Sequence, residues 1–329
     1  MLSLYHRVRN ADSLTVVMFH RTLAPDDPRW PARDPDYTLP RAVFARSLAF
    51  FKRHYNVVTL AQVLEAHRGR EPLPPRAALL TFDDGWLDNL DHALPELRQA
   101  GLPGLMFVVA DAVGSRQPFW QEQLISAWRR GTISVPAIAA AMAADPASGE
   151  PGGAEAEGDG LPALRHLIGA LEALPRPARD EVLAPFREAM DDGLRHMVDE
   201  HDLHQLREGG VALGLHGKSH VRMTRAEDLD AELGGARAAL AARLGDASGP
   251  GTMSFPHGAF DMAIAQRARD AGYELLFTSV PVINPTAPGP GWLLGRTGFE
   301  TDTVVDSAGR FRDDWLAWYL FRCQARALA

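Results

Sequence analysis

The sequence is poor in cysteine and has no long hydrophobic run. Cys323 is the only cysteine among 329 residues, which excludes an internal disulfide and therefore a small disulfide-stabilised secreted scaffold. The longest weakly charged stretch, 132–144, is shorter than the roughly 20 residues of a membrane-spanning helix and contains Pro136. We expect no transmembrane helix. The chain reaches Asp12 before any apolar run, without the order of a signal peptide, so we expect a cytoplasmic protein.

The sequence also lacks an excess of basic residues. It has 34 Lys and Arg against 42 Asp and Glu, a formal net charge of −8, which argues against nucleic acid or an anionic membrane as a partner. With 46% hydrophobic and 23% charged residues, the chain is able to bury a sizeable core. The length suits one (β/α) barrel with an insertion, or two compact domains.

Short apolar runs alternate along the chain with segments of helical periodicity. Parallel strands covered by helices on both faces have this appearance, and about eight repeats favour a barrel. The sequence therefore predicts an α/β fold, a distorted (β/α) barrel of 7–8 parallel strands. The expected strands are Leu14–Phe19, Asn56–Leu60, Ala77–Phe82, Leu105–Ala110, Val211–Leu215, Thr252–Phe255, Leu275–Val280 and Trp292–Leu294. Helices are expected over Val43–Tyr55, Leu90–Ala100, Ala226–Leu244 and Met262–Ala271.

The alternation breaks at about 115–209, where helical patterns surround a polar, low-complexity piece. That piece, 144–160, carries five acidic residues among glycines and prolines and no basic residue, which is typical of a mobile acidic loop. We interpret 1–329 as a single barrel domain with a helical insertion. A separate partner-binding module is the alternative.

Polar residues directly follow several of the expected strands. In a parallel barrel these positions share the rim at which active sites are found. The residues are His20, Asp83, Asp84, His216, His220, His257 and Arg296.

Asp84, His216 and His220 form a two-histidine, one-carboxylate group suited to a divalent metal. Histidines four apart share one face of a helical turn, and three protein ligands leave a coordination position open for water or substrate. Zinc is expected, with cobalt, nickel or manganese as alternatives. The adjacent Asp83 and Asp84 divide two tasks, since one carboxylate would hold the metal and the other would accept a proton from water. The residue pattern does not show which of the two aspartates has which task.

Three motifs resemble, in order, those of the polysaccharide deacetylases. They are Thr81–Gly85, His216–His220 and Ser254–Gly258, in sequence Thr-Phe-Asp-Asp-Gly, His-Gly-Lys-Ser-His and Ser-Phe-Pro-His-Gly. The family is also called carbohydrate esterase family four, with a NodB-homology domain. The opening Val17–Arg21 resembles the exopolysaccharide subgroup. The resemblance implies a distorted barrel that removes N-acetyl or O-acetyl groups from sugars.

The resemblance also implies individual roles. Asp83 would be the general base, while Asp84, His216 and His220 would hold the metal. His257 stands where the family usually has tyrosine, and its backbone N–H would help hold the oxyanion of the tetrahedral intermediate.

Three further departures from the family pattern concern Ser254, the late motif and His20. Ser254 replaces the arginine that often opens the third motif and orients the base, so Arg296 is the candidate replacement. The late Leu-x-His motif, which supplies the general acid, is absent from the stretch 294–299. His20 is the candidate for that acid, or for a substrate-binding residue.

These observations predict a metal-dependent hydrolase that removes an acetyl group from an amino sugar or saccharide. Alternatives are a C–N bond hydrolase of a non-sugar amide or formamide, a non-haem iron oxygenase, and a binding or scaffold homologue with a degenerate site. The expected partner is a saccharide substrate. The oligomeric state is left open by the sequence.

Overall fold

The computed structural model describes residues 11–144, 158–246 and 249–329. Most of the expected acidic loop 144–160 lies outside the described residues. The strands are β1 (Ser13–Phe19), β2 (Arg21–Leu23), β3 (Thr38–Pro40), β4 (Asn56–Val57), β5 (Ala77–Phe82), β6 (Gly104–Val108), β7 (Val211–Leu215), β8 (Thr252–Ser254), β9 (Leu275–Phe277), β10 (Val282–Pro285), β11 (Leu293–Leu294), β12 (Thr297–Gly298) and β13 (Gln324–Ala325). The α-helices are α1 (Arg41–His54), α2 (Leu60–His67), α3 (Leu94–Ala100), α4 (Trp120–Arg129), α5 (Val135–Ala144), α6 (Leu161–Ala173), α7 (Arg176–Leu183), α8 (Arg187–Met190), α9 (Glu200–Glu208), α10 (Ala236–Leu244), α11 (Met262–Asp270), α12 (Thr301–Val304) and α13 (Asp313–Phe321).

A curled, mostly parallel sheet forms the centre of the fold. Its strand order is β11-β9-β8-β7-β6-β5-β1-β10-β13, with β12 also paired to β1 and β4 to β5. The short segment 293–298 closes this sheet, because Leu294 pairs with Phe277 of β9 and Thr297 pairs with Val17 of β1. The expected distorted barrel is confirmed. Two strands run in the opposite direction, since β10 is antiparallel to β1 and β13 is parallel to β10.

Alternate residues of the strands contribute to two apolar clusters. Leu14, Val16 and Leu79 belong to one cluster, whereas Val17 and Leu80 belong to the other, which also contains side chains of α1 and α3. All six residues of β5 are buried. Because successive side chains of a strand point to opposite faces, both faces of the sheet are covered, which explains the near-continuous apolar runs in the sequence.

Two of the predicted helices are shorter than expected. The interval Ala226–Leu244 contains a π-helical turn over Ala231–Gly235 before α10 begins. Leu90–Ala100 likewise begins in a π-helical turn over Asn89–Ala93. Glycine in the left-handed region ends α3 at Gly101 (φ 67°) and α10 at Gly245 (φ 64°), as is common at helix C-termini.

The chain divides into two compact units. The first contains, among the described residues, 11–24, 36–115 and 196–329, and therefore includes the whole curled sheet. The interpretation as one domain with an insertion at about 115–209 stays a prediction, and α9 at the end of that range belongs to this first unit.

The second unit comprises 25–35 and 116–195. Its described residues form helices α4 to α8 and no strand. Leu124, Ile138 and Leu164 are fully buried in its own core, and the buried carboxylate of Asp34 accepts two hydrogen bonds from Arg165 at 2.8 and 2.9 Å.

None of the helices in the described part of the chain combines the length and the apolar character required to cross a bilayer.

Candidate metal and catalytic site

The three predicted metal ligands meet at the carboxyl ends of β5 and β7. Oδ1 of Asp84 lies 3.4 Å from Nε2 of His216 and 3.3 Å from Nε2 of His220. Each residue offers one ligand atom, and these three atoms all lie within 4.8 Å of one another. Residues more than one hundred positions apart in the sequence therefore converge on one point.

Strained backbone brings the ligands together. Asp84 (φ 80°), His220 (φ 62°) and His257 (φ 55°) are three of the four described non-glycine residues with positive φ. Such conformations cost about 1–3 kcal/mol each and cluster at functional sites. The expected helical turn over His216–His220 is wrong, because the segment is an irregular loop. The chain turns at Asp84 as well as at Gly85, since both residues adopt the left-handed conformation.

The proton on His216 is placed by its hydrogen bonds. Nδ1 lies 3.1 Å from the carbonyl oxygen of Ser254 and 2.6 Å from its Oγ. A carbonyl oxygen only accepts, so Nδ1 carries the hydrogen. Burial lowers the pKa of His216 to about 4, although Asp83 and Asp84 oppose this shift. At neutral pH the unprotonated Nε2 therefore faces Asp84.

Asp83 is held by a buried arginine, as the sequence predicts for Arg296. Nη1 and Nη2 of Arg296 donate to the two carboxylate oxygens of Asp83 at 2.6 and 2.7 Å, and both side chains are at most 2% exposed. Burial alone raises the pKa of Asp83, but the charges of Arg296 and His216 and the hydrogen bond from Arg296 outweigh it, so the pKa lies below its usual value. Asp83 is therefore ionised. The Oγ of Ser254 lies 3.3 Å from Oδ1 of Asp83, which joins the carboxylate to His216.

Trp86 is a positioning residue that the sequence reasoning missed. Its ring is 1% exposed and its Nε1–H donates to Oδ2 of Asp84 at 2.8 Å, leaving Oδ1 toward the histidines. Arg21 stacks on this ring at 4.2 Å and forms a buried ion pair with Asp88 at 2.8 Å. The available signal was an indole donor directly after the Thr81–Gly85 motif.

Glu232 holds the loop that carries the two histidines and was also missed. Its Oε2 accepts from the backbone N–H of Lys218 at 2.8 Å and of Ser219 at 3.0 Å. Oε1 accepts from the hydroxyl of Ser219 at 2.5 Å. Because Glu232 lies in the π-helical turn before α10, no sequence spacing connects it with this loop.

His20 lines a cavity of about 240 Å³ together with Arg296, the residue that donates to Asp83. Tyr37 and Tyr319 also line it. The His20 ring packs edge-on against Tyr37 with centroids 4.9 Å apart. The charge of His20 contributes to lowering the pKa of both Asp83 and Asp84, so the imidazole lies within electrostatic range of the site.

The third motif brings His257 against His220, one of the three predicted metal ligands. Its ring lies 4.5 Å from that of His220, centroid to centroid, and Nε2 donates to the carbonyl oxygen of His220 at 3.2 Å. The exposed imidazole thus braces a metal ligand, a contact not anticipated for this position.

The donor set fits a divalent transition metal. In a tetrahedral zinc site with bonds of about 2.0–2.1 Å, ligand atoms are roughly 3.3 Å apart, close to the separations measured from Asp84. The pKa of Asp84 lies below its usual value because the hydrogen bond and charge of His220 outweigh burial. An ionised carboxylate oxygen and an unprotonated imidazole nitrogen therefore face each other at 3.4 Å. Two lone pairs in that position are stabilised by a cation between them.

Sequence comparison finds similarity to known deacetylases over part of the chain. The family model described as polysaccharide deacetylase matches residues 70–147. Over 74 residues the chain is 35% identical to the poly-β-1,6-N-acetyl-D-glucosamine N-deacetylase of Escherichia coli K12, a match that covers 22% of this chain and 11% of that enzyme. The similarity is thus to a small part of a longer protein.

Two solved structures share the fold over nearly the whole chain. The deacetylase PplD of Streptococcus pyogenes, solved in complex with acetate, has a TM-score of 0.58 and 14% identity, covering 94% of this chain and 98% of its own. IcaB from Ammonifex degensii has a TM-score of 0.55 and 19% identity, covering 94% and 97%. The chain therefore matches the polysaccharide deacetylase family model over residues 70–147 and shares the fold of these two solved structures.

Proposed function

We propose that the chain is a metal-dependent hydrolase that removes N-acetyl groups from amino-sugar units of a saccharide. The observation that carries the proposal is the convergence of Oδ1 of Asp84 with Nε2 of His216 and Nε2 of His220, at 3.4 and 3.3 Å, beside a second buried carboxylate, Asp83. One carboxylate then serves as a metal ligand while the other is held apart by Arg296. This arrangement supports the division of tasks between the two aspartates that the family resemblance implies.

Asp84, His216 and His220 would hold the metal. A divalent ion bound there supplies a Lewis acid and lowers the pKa of water. Trp86 and Glu232 keep the three ligands in place, and Ser254 keeps the hydrogen of His216 on Nδ1.

Asp83 acts as the general base in this proposal. Its two oxygens accept from Arg296 and Ser254 but retain lone pairs, so the carboxylate is able to take a proton as water attacks the acyl carbon. The backbone N–H of His257 is proposed to stabilise the resulting oxyanion. When the C–N bond breaks, the leaving amine receives a proton from His20, and acetate and the free amine are the products.

The substrate class follows from the curated relative, whose name specifies β-1,6-linked N-acetyl-D-glucosamine. We propose such a saccharide as the first substrate to test. A cytoplasmic location stays a prediction.

The test is acetate release from β-1,6-linked N-acetylglucosamine oligosaccharides by the zinc-loaded protein, with free amines measured in parallel. We expect equal amounts of acetate and amine, and loss of turnover in Asp83→Asn with zinc still bound. Asp270→Asn makes the same change at an exposed carboxylate and is the matched control. Full turnover by Asp83→Asn would overturn the assignment of the base.

A panel of small amides and formamides separates the proposed substrate from the alternative one. Hydrolysis of these compounds without acetate release from any saccharide would replace the carbohydrate substrate by a non-sugar amide. Oxygen-dependent turnover with iron would instead indicate an oxygenase and would contradict hydrolysis.

A further inference from the structure

Exposed aromatic rings line the cavity of His20 and a groove that shares Tyr319 with it. The described part of the chain exposes four large hydrophobic side chains, namely Tyr37, Met262, Trp315 and Trp318. Tyr37 lines the cavity of His20, and the two tryptophans line a separate groove of about 650 Å³. Tyr319 lines both, so the groove lies next to the cavity of His20, which Arg296, the partner of Asp83, also lines.

Helix α13 presents these rings on a face that folding does not require. Leu316 and Leu320, spaced by four, are at most 1% exposed and pack in the core. Trp315, Trp318 and Tyr319 follow the spacing i, i+3 and i+4, which places them on one face of the helix. Trp318 is 61% exposed. The core therefore accounts for one face of α13 and leaves the tryptophan face unexplained.

The chemistry of the groove suits a saccharide. Arg322 lies over the rings of Tyr319, at 4.1 Å, and Trp318, at 5.8 Å, and Asp302 and Asp314 also line the groove. Flat aromatic faces pack against the apolar C–H faces of a sugar ring. Carboxylates and a guanidinium bind hydroxyl and amide groups as acceptors and donors. A few polar groups within an aromatic lining are typical of ligand sites of about 300–1,000 Å³.

We propose that Trp315, Trp318 and Tyr319 form a second saccharide-binding surface, which holds distant units of a glycan whose reacting unit lies in the catalytic site. This inference rests on the proposed function, since the occupant is the same chain that is deacetylated. Binding at the surface favours long substrates over short ones, because only a long glycan reaches from the cavity of His20 past Tyr319 to Trp318.

The test compares kcat/KM for a short and a long N-acetylglucosamine oligosaccharide in wild type, Trp318→Ala and Trp318→Phe. We expect Trp318→Ala to lower kcat/KM for the long substrate about tenfold, through KM, as the loss of one stacked ring implies. The short substrate should react at the wild-type rate, and Trp318→Phe should restore much of the loss. Met262→Ala, at an exposed side chain of α11, is the matched control. Equal effects on both lengths, or none on either, would overturn the inference.

A binding measurement separates this inference from the proposed function. Tryptophan fluorescence is titrated with the long oligosaccharide in wild type and Trp318→Ala. A response present only in wild type, without acetate release, would refute the deacetylase proposal and leave the saccharide surface standing. Acetate release at all lengths with identical responses in both proteins would refute the surface alone. A change of oligomeric state in Trp318→Ala by light scattering, with saccharide binding unchanged, would make this face a self-association surface and would also overturn the inference.

Discussion

Replacing Arg296 by Met tests the buried ion pair that holds the proposed base. The substitution keeps an unbranched apolar side chain but leaves the carboxylate of Asp83, 2% exposed, without its two charge-assisted hydrogen bonds. Breaking a buried pair from one side costs about 3–5 kcal/mol. For a chain of 329 residues we expect the thermal midpoint to fall by roughly 4–7 °C. The measurement is thermal unfolding of the metal-free protein by circular dichroism at pH 7.

The matched control is Arg267→Met, which removes one partner of the exposed pair formed with Asp230. Exposed pairs contribute about 0–1 kcal/mol, so this variant should unfold close to wild type. If Arg296→Met unfolds at the same temperature as the control, the reasoning about the buried pair is wrong.

The same variant has a defined pH dependence. In wild type the pKa of Asp83 lies below its unfolded value, so the stabilisation by the pair is present above about pH 4. It is lost as the pH falls further. Without Arg296, burial raises the pKa of Asp83, and protonation then relieves the uncompensated charge. The difference in free energy of unfolding between Arg296→Met and wild type should therefore become smaller toward acid pH. In the variant, the acid limb of the pH profile of kcat/KM should lie at higher pH than in wild type. An unshifted acid limb would contradict the role of Asp83 as base.

Two further predictions concern the residues that position the metal ligands. Trp86→Phe keeps the ring but removes the donor to Oδ2 of Asp84, so zinc affinity should fall about 10–100-fold, measured by competition with a chromogenic chelator. Trp128→Phe in the second unit is its control and should leave affinity unchanged; equal affinities in both variants would refute the role of the indole. Glu232→Gln weakens the acceptor for the backbone of Lys218 and Ser219 and should destabilise the fold by about 1–3 kcal/mol in urea unfolding. A variant that unfolds like wild type would contradict this anchoring.

The sequence predicts the central strands well because each is a near-continuous apolar run. Val211–Leu215 and Ala77–Phe82 coincide with β7 and β5 residue by residue. The short strands β2, β3, β10, β12 and β13 were missed, because two to four residues carry no periodicity and their pairing depends on distant segments. The antiparallel strand β10 is an example. It follows β9 without an intervening helix, so it does not belong to the strand–helix alternation from which the other strands were predicted.

The sequence predicts which residues form the candidate site, but it does not predict their geometry. Position after a strand places Asp84, His216 and Arg296 on one rim, and the structure brings them together. Backbone strain at Asp84 and His220 leaves no local signal, because the surrounding fold imposes it. Trp86 is a residue type that commonly lies in the core, so its role as a hydrogen-bond donor becomes visible only once the structure shows the position of Asp84.

Zinc titration of the chelator-treated protein tests the central claim most directly. Bound zinc and acetate release from the β-1,6-linked oligosaccharide are measured on the same samples, with His220→Gln in parallel. We predict that both quantities rise together and saturate at a single ion per chain in wild type, and that the variant shows neither at the same zinc concentrations. Acetate release that persists after chelation, or that is unchanged in His220→Gln, would contradict the account.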